Sequence, residues 1–589
     1  MSPLSNAPER FAAEMLAGFA DAHRDRVRAV PGGVVRATPS PPGKVAVVTG
    51  GGSGHYPAFV GLVGHGMADG AAAGEVFASP SAQQIVRVAR AAEHGGGILF
   101  AFGNYAGDVL NFRLAADQLR KAGVDVRVLP ITDDLASAGV GCEAQRRGIA
   151  GALVVYKVAG AAAEAGRSLD EVERLAGKAN DRTRSLGVAF AGCTVPGATG
   201  PLFALPEATL ALGMGIHGEP GIRTEPLPSA DDLADLLVDQ VLAEAPPGAD
   251  GRVAAVLNGL GGTRYEELFV LWRRVAERLA GAGLTVVGPE VGELTTSLDM
   301  AGCSLSVCWL DDELTELWLS PADSPAYRRG QAAESAIAVP APAAGDATET
   351  PEAVNPTNSD NVVSPVSTVS RQWARRVLAA FDAMAAVLRS HEDYLGQLDA
   401  VAGDGDHGRG MTRGCEAARD AARAAIEAGA GVRGTVLAAA ESWADKAGGT
   451  SGVLWGQALR EFGSELDDQT APGGPDIARA VAAALAGVTT LGGAVPGDKT
   501  IVDGLDAFSV SLSAAIAAGE SLETAWGVAA KAATAQAEAT AAMTPRKGRA
   551  RPLAALSVGT PDPGAVSLAL CVDAIDRQFG ETRTSCRSR

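Results

Sequence analysis

Two groups of residues in this 589-residue chain have the types and spacing to do chemistry. The first lies in QLDAVAGDGDHGRGM, Gln397 to Met411, where Asp399, Asp404 and Asp406 stand among Gly403, Gly405, Gly408 and Gly410. Glycines at this density do not suit a helix interior, so GDGDHGRG reads as a loop between helices. In an extended loop, residues two apart point the same way, which aims Asp404 and Asp406 together; Asp399 falls near the preceding helix end. Converging carboxylates repel one another unless a cation sits among them, and Mg²⁺ shared with phosphate oxygens is the fitting ion. An EF-hand does not fit, because counting from Asp404 the sixth position is Arg409 rather than Gly and the twelfth is Cys415 rather than Glu. A metal loop and a solvated turn both remain open from this stretch alone.

Three more loops rich in Gly, Asp, Ser and Thr follow: KAGGTSG (Lys446 to Gly452), GGAVPGDKT (Gly492 to Thr500) and VGTPDPGA (Val558 to Ala565). The second nearly spells a P-loop, but Asp498 stands between Gly497 and Lys499 and no strand precedes it. Four such loops at one end of a helical region would offer backbone N–H groups and helix N-termini to phosphates.

The other group lies toward the N-terminus. TGGGSGHYP follows the apolar run VAVV and presents His55 where a strand ends. It is not a dinucleotide fingerprint, since His55 takes the place of the third glycine when counting from Gly50. GNYAGD places Asp108 after another strand-like run, and MGIHGEPG places His217 in a tight glycine loop. Two of the seven histidines thus occupy glycine-rich loops of one region. They are candidates for catalysis, or histidines satisfied by local hydrogen bonds.

These residues need elements to hold them. Residues 331–368 are rich in Pro, Ala, Ser and Thr, lack large aromatics and show no helical or strand period, so they read as a semi-extended linker. Residues 1–330 alternate short apolar runs with Ala-rich helical segments. KVAVVTGGGSGH, GGILFAFGNYAGD, VDVRVLPITDD, GALVVYKVAG, RVAAVLNGLGG and GLTVVGPEVG each read as a strand followed by a loop, with SAQQIVRVARAAEHG as a helix. This predicts an α/β domain whose functional groups sit where strands end. Residues 369–580 are Ala/Leu-rich with apolar residues three and four apart, which predicts an all-α bundle; a short tail, 581–589, follows.

Bulk properties exclude several classes. The formal net charge is −19 and no run of Lys and Arg stands out, which argues against nucleic acid and anionic membranes as partners. The seven cysteines are scattered without a CxxC, so neither a disulfide framework nor a zinc knuckle is expected, and a reducing cytoplasm fits. The N-terminus lacks the apolar core of a signal peptide, and no uncharged apolar stretch is long enough to span a membrane.

Taken in order, the motifs resemble the single-chain, ATP-dependent dihydroxyacetone kinase family over nearly the whole chain. GGGSGH, NYAGDVLNF, RRGIAGALVVYKVAGAAAEAG, CTVPG, GIHGEPG and TSLDMAG are similar to its ketose-binding K domain. LDAVAGDGDHG, GGTSG, PGDKT, GRA and DPGA are similar to its helical nucleotide-binding L domain. The resemblance implies an ATP:ketose phosphotransferase. His217 matches the histidine that adds to the ketone as a hemiaminal, and Asp108 and His55 match the acid/base pair. Gly52, Ser53, Gly54, Tyr56 and Gly103 fall with them around the ketose. Asp399, Asp404 and Asp406 match the ligands of two Mg²⁺ ions. His407, Gly408, Arg409, Gly410, Thr450, Ser451, Gly492, Thr500, Arg549, Asp562, Pro563 and Gly564 match nucleotide-contact positions. A homodimer is implied, with the K domain of one subunit facing the L domain of its partner.

Two departures bear on the acceptor. The dihydroxyacetone enzymes usually read K-N-Y-T-G-D where this chain has Gly103 to Asp108, and G-H-E-P where it has Gly54 to Pro57. The GHYPAF and GNYAGD pattern resembles the branch acting on four-carbon ketoses, so erythrulose is expected ahead of dihydroxyacetone. A ketose- or nucleotide-sensing regulator would be expected to lack the histidine anchor or one of the aspartates, and here all are present. The family also admits an FMN-forming lyase side activity on FAD, which no residue here decides.

Overall fold

VAVVTGGG carries no charge and no polar alternation, the pattern of a strand buried on both faces. It forms one in the computed structural model, which describes residues 4–330 and 366–587 apart from Thr199, Asp250, Asp404, Arg549 and residues 552–553. Strands β1 (Val27–Val30), β2 (Gly33–Arg36), β3 (Ala46–Ser53), β4 (Gly70–Val76), β5 (Ile98–Gly103) and β6 (Val126–Ile131) form one sheet in the order β1-β2-β4-β3-β5-β6. Its last four positions are parallel, while the β1–β2 hairpin joins β4 antiparallel. The second sheet contains β7 (Thr183–Ala189), β8 (Thr209–Leu212), β9 (Arg223–Pro226), β10 (Arg252–Gly259), β11 (Thr285–Val286), β12 (Glu290–Gly292) and β13 (Gly302–Leu310). Its order is β11-β10-β13-β7-β8-β9, with β12 also on β10.

Eight α-helices lie among the described residues of this half: α1 (Phe11–Ala22), α2 (Ala82–Ala92), α3 (Ala106–Lys121), α4 (Ala152–Glu164), α5 (Leu169–Asp181), α6 (Ala230–Ala243), α7 (Tyr265–Gly281) and α8 (Asp312–Leu319). Helices α2 and α3 cover the outer face of the first sheet, and α6 and α7 that of the second. Between the sheets lie α4, α5 and α8. The run GALVVYKVAG, expected as a strand, is therefore corrected: it is the first part of α4, and every residue from Ala152 to Ala163 is buried. A helix buried all round shows no amphipathic period, so its sequence looks like that of a core strand.

The second half is all helix: α9 (Thr368–Ser390), α10 (Glu392–Ala400), α11 (His407–Glu427), α12 (Val432–Ala447), α13 (Gly449–Ser464), α14 (Gly474–Gly492), α15 (Ile501–Ala517), α16 (Leu522–Ala539), α17 (Ala554–Ser557) and α18 (Pro563–Arg587). Hydroxyl caps begin several of them; Ser367, Thr500 and Ser521 each accept an N–H from the first turn. One apolar core joins the helices, with Trp443 and Trp455 stacked 4.8 Å apart, and an apolar cavity of about 210 Å³ remains among Trp373, Phe381, Phe508 and Trp526. Most of the expected linker, 331–365, lies outside the described residues, while α18 runs through 581–587.

The structure moves one boundary that matters. The expected GDGDHGRG loop ends at Asp406, because α11 begins at His407 and takes Gly408 and Gly410 into its first turns. A Cβ at Gly408 would lie 2.0 Å from the Glu392 carbonyl oxygen, so this glycine serves helix–helix approach, and packing overrides its poor helix propensity.

Candidate active site

Three strand ends build the first half-site. β3 leads into His55, β5 into the first turn of α3 with Asp108, and β8 into the glycine loop carrying His217. His55, Asp108 and His217 line one small cavity of about 20 Å³ with Gly52, Gly103, Tyr105, Gly148 and Tyr156. Glycines set how closely these segments approach. Gly54 has φ +104° and lies against the Phe77 ring, and a Cβ at Gly52 would meet the Phe77–Ala78 backbone at 2.7–2.8 Å. Phe77 in turn stacks on His55 at 5.0 Å. Ser53 donates to the Gly74 carbonyl at 2.6 Å. Tyr56 is not in the lining; its half-exposed ring meets Phe19 at 5.9 Å.

The histidines are held by every ring nitrogen. His55 Nδ1 lies 2.8 Å from the Thr296 carbonyl, so that nitrogen carries a proton and donates. His217 Nδ1 faces Glu219 Oε1 at 3.1 Å and likewise donates. The two Nε2 atoms are 3.0 Å apart, a contact that requires one proton between them. Burial, then the charge of His217, pushes His55 down to about 3, so the neutral ring is the acceptor. Burial pushes Glu219 up, but His217 and Arg147 together pull it further down, well below the usual carboxylate range. Glu219 also accepts the His217 backbone N–H at 3.0 Å. Arg147 sits 3.6 Å from Glu219 and donates to Asp134 at 3.0 Å. Tyr105 crosses the His217 ring edge-on at 4.6 Å, its hydroxyl donating to the Gly148 carbonyl at 3.1 Å.

Glu219, Arg147, Phe77 and Thr296 are the residues that sequence reasoning missed. Glu219 stood in plain view in GIHGEPG, two residues from His217. Thr296 could not be found that way, since it is 241 positions from His55.

The second half-site gathers helix N-termini. Those of α11, α13, α15 and α18 converge on a cavity of about 210 Å³ lined by Asp399, Asp406, His407, Gly410, Thr450, Ser451, Lys499, Thr500, Asp562, Pro563 and Gly564. This is an anion-binding arrangement. His407 ties the helices together, its ring nitrogens meeting Ser451 Oγ at 3.2 Å and Ser567 Oγ at 3.0 Å. Gly492 ends α14 against Leu454, and Gly408 packs on α10. Arg409 faces a separate cavity between the halves, with Phe77 and Glu75. Asp404 and Arg549 lie outside the described residues.

Carboxylates crowd this cavity. Lost hydration and then Asp399 push Asp406 up to about 6. Lost hydration, Asp503 and Asp399 push Asp562 up to about 7, against the N–H donated by Ala565. Among the described residues no three His, Cys, Asp or Glu side chains form a metal cluster. Acids whose charge is disfavoured by their own neighbours are nonetheless the donor set a hard divalent cation suits.

The two cavities meet at the start of α3. Asp108 lines the first and Ala106 the second, and a Cβ on Gly107 between them would lie 3.5 Å from Thr450 Oγ1.

Fold and site together define a two-domain chain in which an α/β domain with a paired-histidine cavity abuts an all-helical anion-binding domain. Family comparison makes this specific: residues 17–326 match the Dak1 domain and residues 401–577 the DAK2 domain, and the chain belongs to the dihydroxyacetone kinase family. It is 53% identical over 97% of its length to a D-erythrulose kinase of Mycolicibacterium smegmatis, covering 97% of that protein. It is 50% identical over its full length to an L-erythrulose kinase of Pectobacterium atrosepticum, covering 98% of it. Among solved structures, the dihydroxyacetone kinase of C. freundii in complex with AMP-PNP and Mg²⁺ is 29% identical, with 98% of this chain and 99% of that one covered and a TM-score of 0.51. A dihydroxyacetone kinase operon co-activator, 33% identical, matches 54% of this chain and 98% of its own, also at 0.51.

Proposed function

We propose that this chain is an ATP- and Mg²⁺-dependent kinase that phosphorylates a terminal hydroxyl of erythrulose, with dihydroxyacetone as a poorer substrate. The carrying observation is the meeting of the two cavities on the first turn of α3, beside Asp108. The erythrulose kinases among the relatives support the acceptor. The test is ADP release with dihydroxyacetone, glyceraldehyde and both erythrulose enantiomers, with product regiochemistry read by NMR. An erythrulose enantiomer should give the highest kcat/KM. No ADP release with any ketose would overturn the reading and leave a ketose sensor.

The hydrogen bonds of the resting site order the steps. The proton between the two rings passes to His55, which frees the His217 Nε2 lone pair to bond the ketone carbon. As that C–N bond forms, the carbonyl π pair moves onto oxygen and His55 returns its proton there, giving a hemiaminal hydroxyl and leaving the positive charge on the alkylated His217 ring, beside the Glu219 carboxylate. Glu219 holds the ring in place through Nδ1–H. The anchored ketose presents a terminal hydroxyl to Asp108, which takes the proton as that oxygen attacks the γ-phosphorus and the bond to the bridging oxygen of ADP breaks. Asp399, Asp404 and Asp406 would hold two Mg²⁺ ions, which when bound offset charge on the ATP phosphates. N–H groups of the converging helix starts would bind the remaining phosphate oxygens.

A homodimer is part of the proposal, in which the contact seen here between the α/β and helical halves of one chain is made between the α/β domain of one subunit and the helical domain of its partner. The whole-chain superposition on the C. freundii enzyme scores no higher than the co-activator match, which covers only about half the chain. This supports a different placement of the helical domain relative to its own α/β domain in that enzyme. No described helix is long and apolar enough to cross a membrane, and the six described cysteines are free, which supports work in the cytoplasm.

A further inference from the structure

We propose that Asp445 is a positioning residue that sets the distance between phosphoryl donor and ketose by latching the helical domain onto the hydrogen-bonded segment that leads to Asp108. The inference rests on the kinase reading above. Asp445 lies in the last turn of α12, and its carboxylate is largely buried between the domains, 16% exposed. Its Oδ1 accepts from Ser81 Oγ at 2.8 Å and from Arg87 Nη2 at 3.1 Å, both across the interface. Ser81 uses its hydroxyl twice, since the same oxygen caps α2 by accepting the Gln84 N–H at 3.2 Å.

Two residues earlier along the backbone, Ser79 makes the next contacts. The Ser79 carbonyl accepts the Gly449 N–H at 3.4 Å, and Ser79 Oγ accepts from Asn111 Nδ2 at 3.3 Å. Asn111, fully buried on α3, donates its other amide hydrogen to the Gly107 carbonyl at 3.0 Å and accepts the Ala82 N–H at 3.0 Å. Gly449 adjoins Thr450 of the nucleotide cavity, and Gly107 adjoins Asp108 of the ketose cavity. Buried, fully bonded polar groups of this kind fix geometry more than they add stability. Asp445 remains ionised there: burial pushes its carboxyl up, but Arg87 and the Ser81 hydroxyl bring it below the usual range. Asp445, Ser81 and Arg87 line neither cavity, so each half-site can bind its ligand without them.

The test is Asp445→Ala in the full chain, with three readouts: ketose adduct by NMR of ketose labelled at the carbonyl carbon, MgATP binding by calorimetry, and turnover. Misplacing reacting groups by about 1 Å costs about 100-fold, so kcat should fall by that order while adduct formation and nucleotide affinity stay within about twofold. Arg87→Ala, at a more exposed position, should lower kcat in the same direction by less and serves if Asp445→Ala does not fold. The charge-exchanged pair Asp445→Arg with Arg87→Asp should recover part of the lost turnover. Wild-type kcat in both single variants, or adduct and nucleotide binding lost in step with kcat, would overturn the latch. Failure of the kinase reading is separable, because then the unmodified protein itself would release no ADP.

Discussion

In the α/β half, His55 and His217 meet at a small cavity of about 20 Å³, Glu219 behind them, with each histidine nitrogen already engaged. In the helical half, Asp399, Asp406 and Asp562 face a cavity about ten times larger, and their mutual repulsion is left unresolved. The first site is organised before any ligand arrives, as the proposed covalent anchor requires. The second is completed by what it binds. The difference predicts that the first half should be broken by losing one atom, whereas the second should respond to the concentration of Mg²⁺.

The largest effect should come from His217→Ala. Without Nε2 no hemiaminal forms, and the ketose loses the anchor that holds its hydroxyl near Asp108. Turnover should fall about 1,000-fold or more, and the carbonyl-carbon NMR signal of the adduct should vanish while MgATP binding stays intact. Turnover within tenfold of the unmodified protein would break the contrast, since the ketose half would then work by shape alone.

Asp406→Asn is the counterpart on the larger, helical side. It removes one carboxylate charge and relieves repulsion with Asp399, so the empty domain should be no less stable. Turnover should drop about 100-fold, and the Mg²⁺ concentration for half-maximal rate should rise, as expected when one ligand of a shared cation goes. A rate loss with an unchanged Mg²⁺ requirement would count against the metal assignment.

A third, smaller effect separates the halves by pH. His55 falls from an ordinary value near 6.5 to about 3 because it is buried beside His217. Between those values the unfolded chain binds a proton that the folded one refuses. Stability from this group is therefore present above pH 6.5 and is lost as pH falls toward 3, with a slope approaching about 1.4 kcal/mol per pH unit. Urea unfolding at pH 7 and pH 5 should show the loss, and His55→Asn should reduce it. An equal loss in the variant would place the acid sensitivity elsewhere.

The same contrast explains what could be read beforehand. His55, Asp108 and His217 each follow a strand-like run and a glycine, so local sequence displays them. The partners that give them function come from afar: Phe77 packs on His55 from another loop, and Thr296 reaches it from the far side of the domain. In the helical half the four loops were legible, but GDGDHGRG and GGTSG turned out to run into helices, because close packing outweighs the local cost of glycine. GALVVYKVAG was misread for the opposite reason, a helix so buried that it lost its period.

Selectivity should move least, and here the two departures from the dihydroxyacetone pattern part company. Tyr56 turns away from the cavity onto Phe19, so Tyr56→Glu should change the erythrulose-to-dihydroxyacetone ratio of kcat/KM by less than about twofold. Gly103 lines the cavity. A Cβ there would lie 2.9 Å from the Tyr105 ring and 3.3 Å from the Gly148 carbonyl, so any side chain pushes Tyr105 from its place beside His217. Gly103→Lys should fill the space that a fourth carbon needs and shift the ratio toward dihydroxyacetone by about 10-fold, the scale of one added group in a shaped pocket. Its φ is not in the left-handed region, so the backbone accepts the change. If Gly103→Lys slowed both ketoses equally, the glycine would serve Tyr105 packing alone, and the acceptor length would be read by the Ile149–Ala152 wall instead.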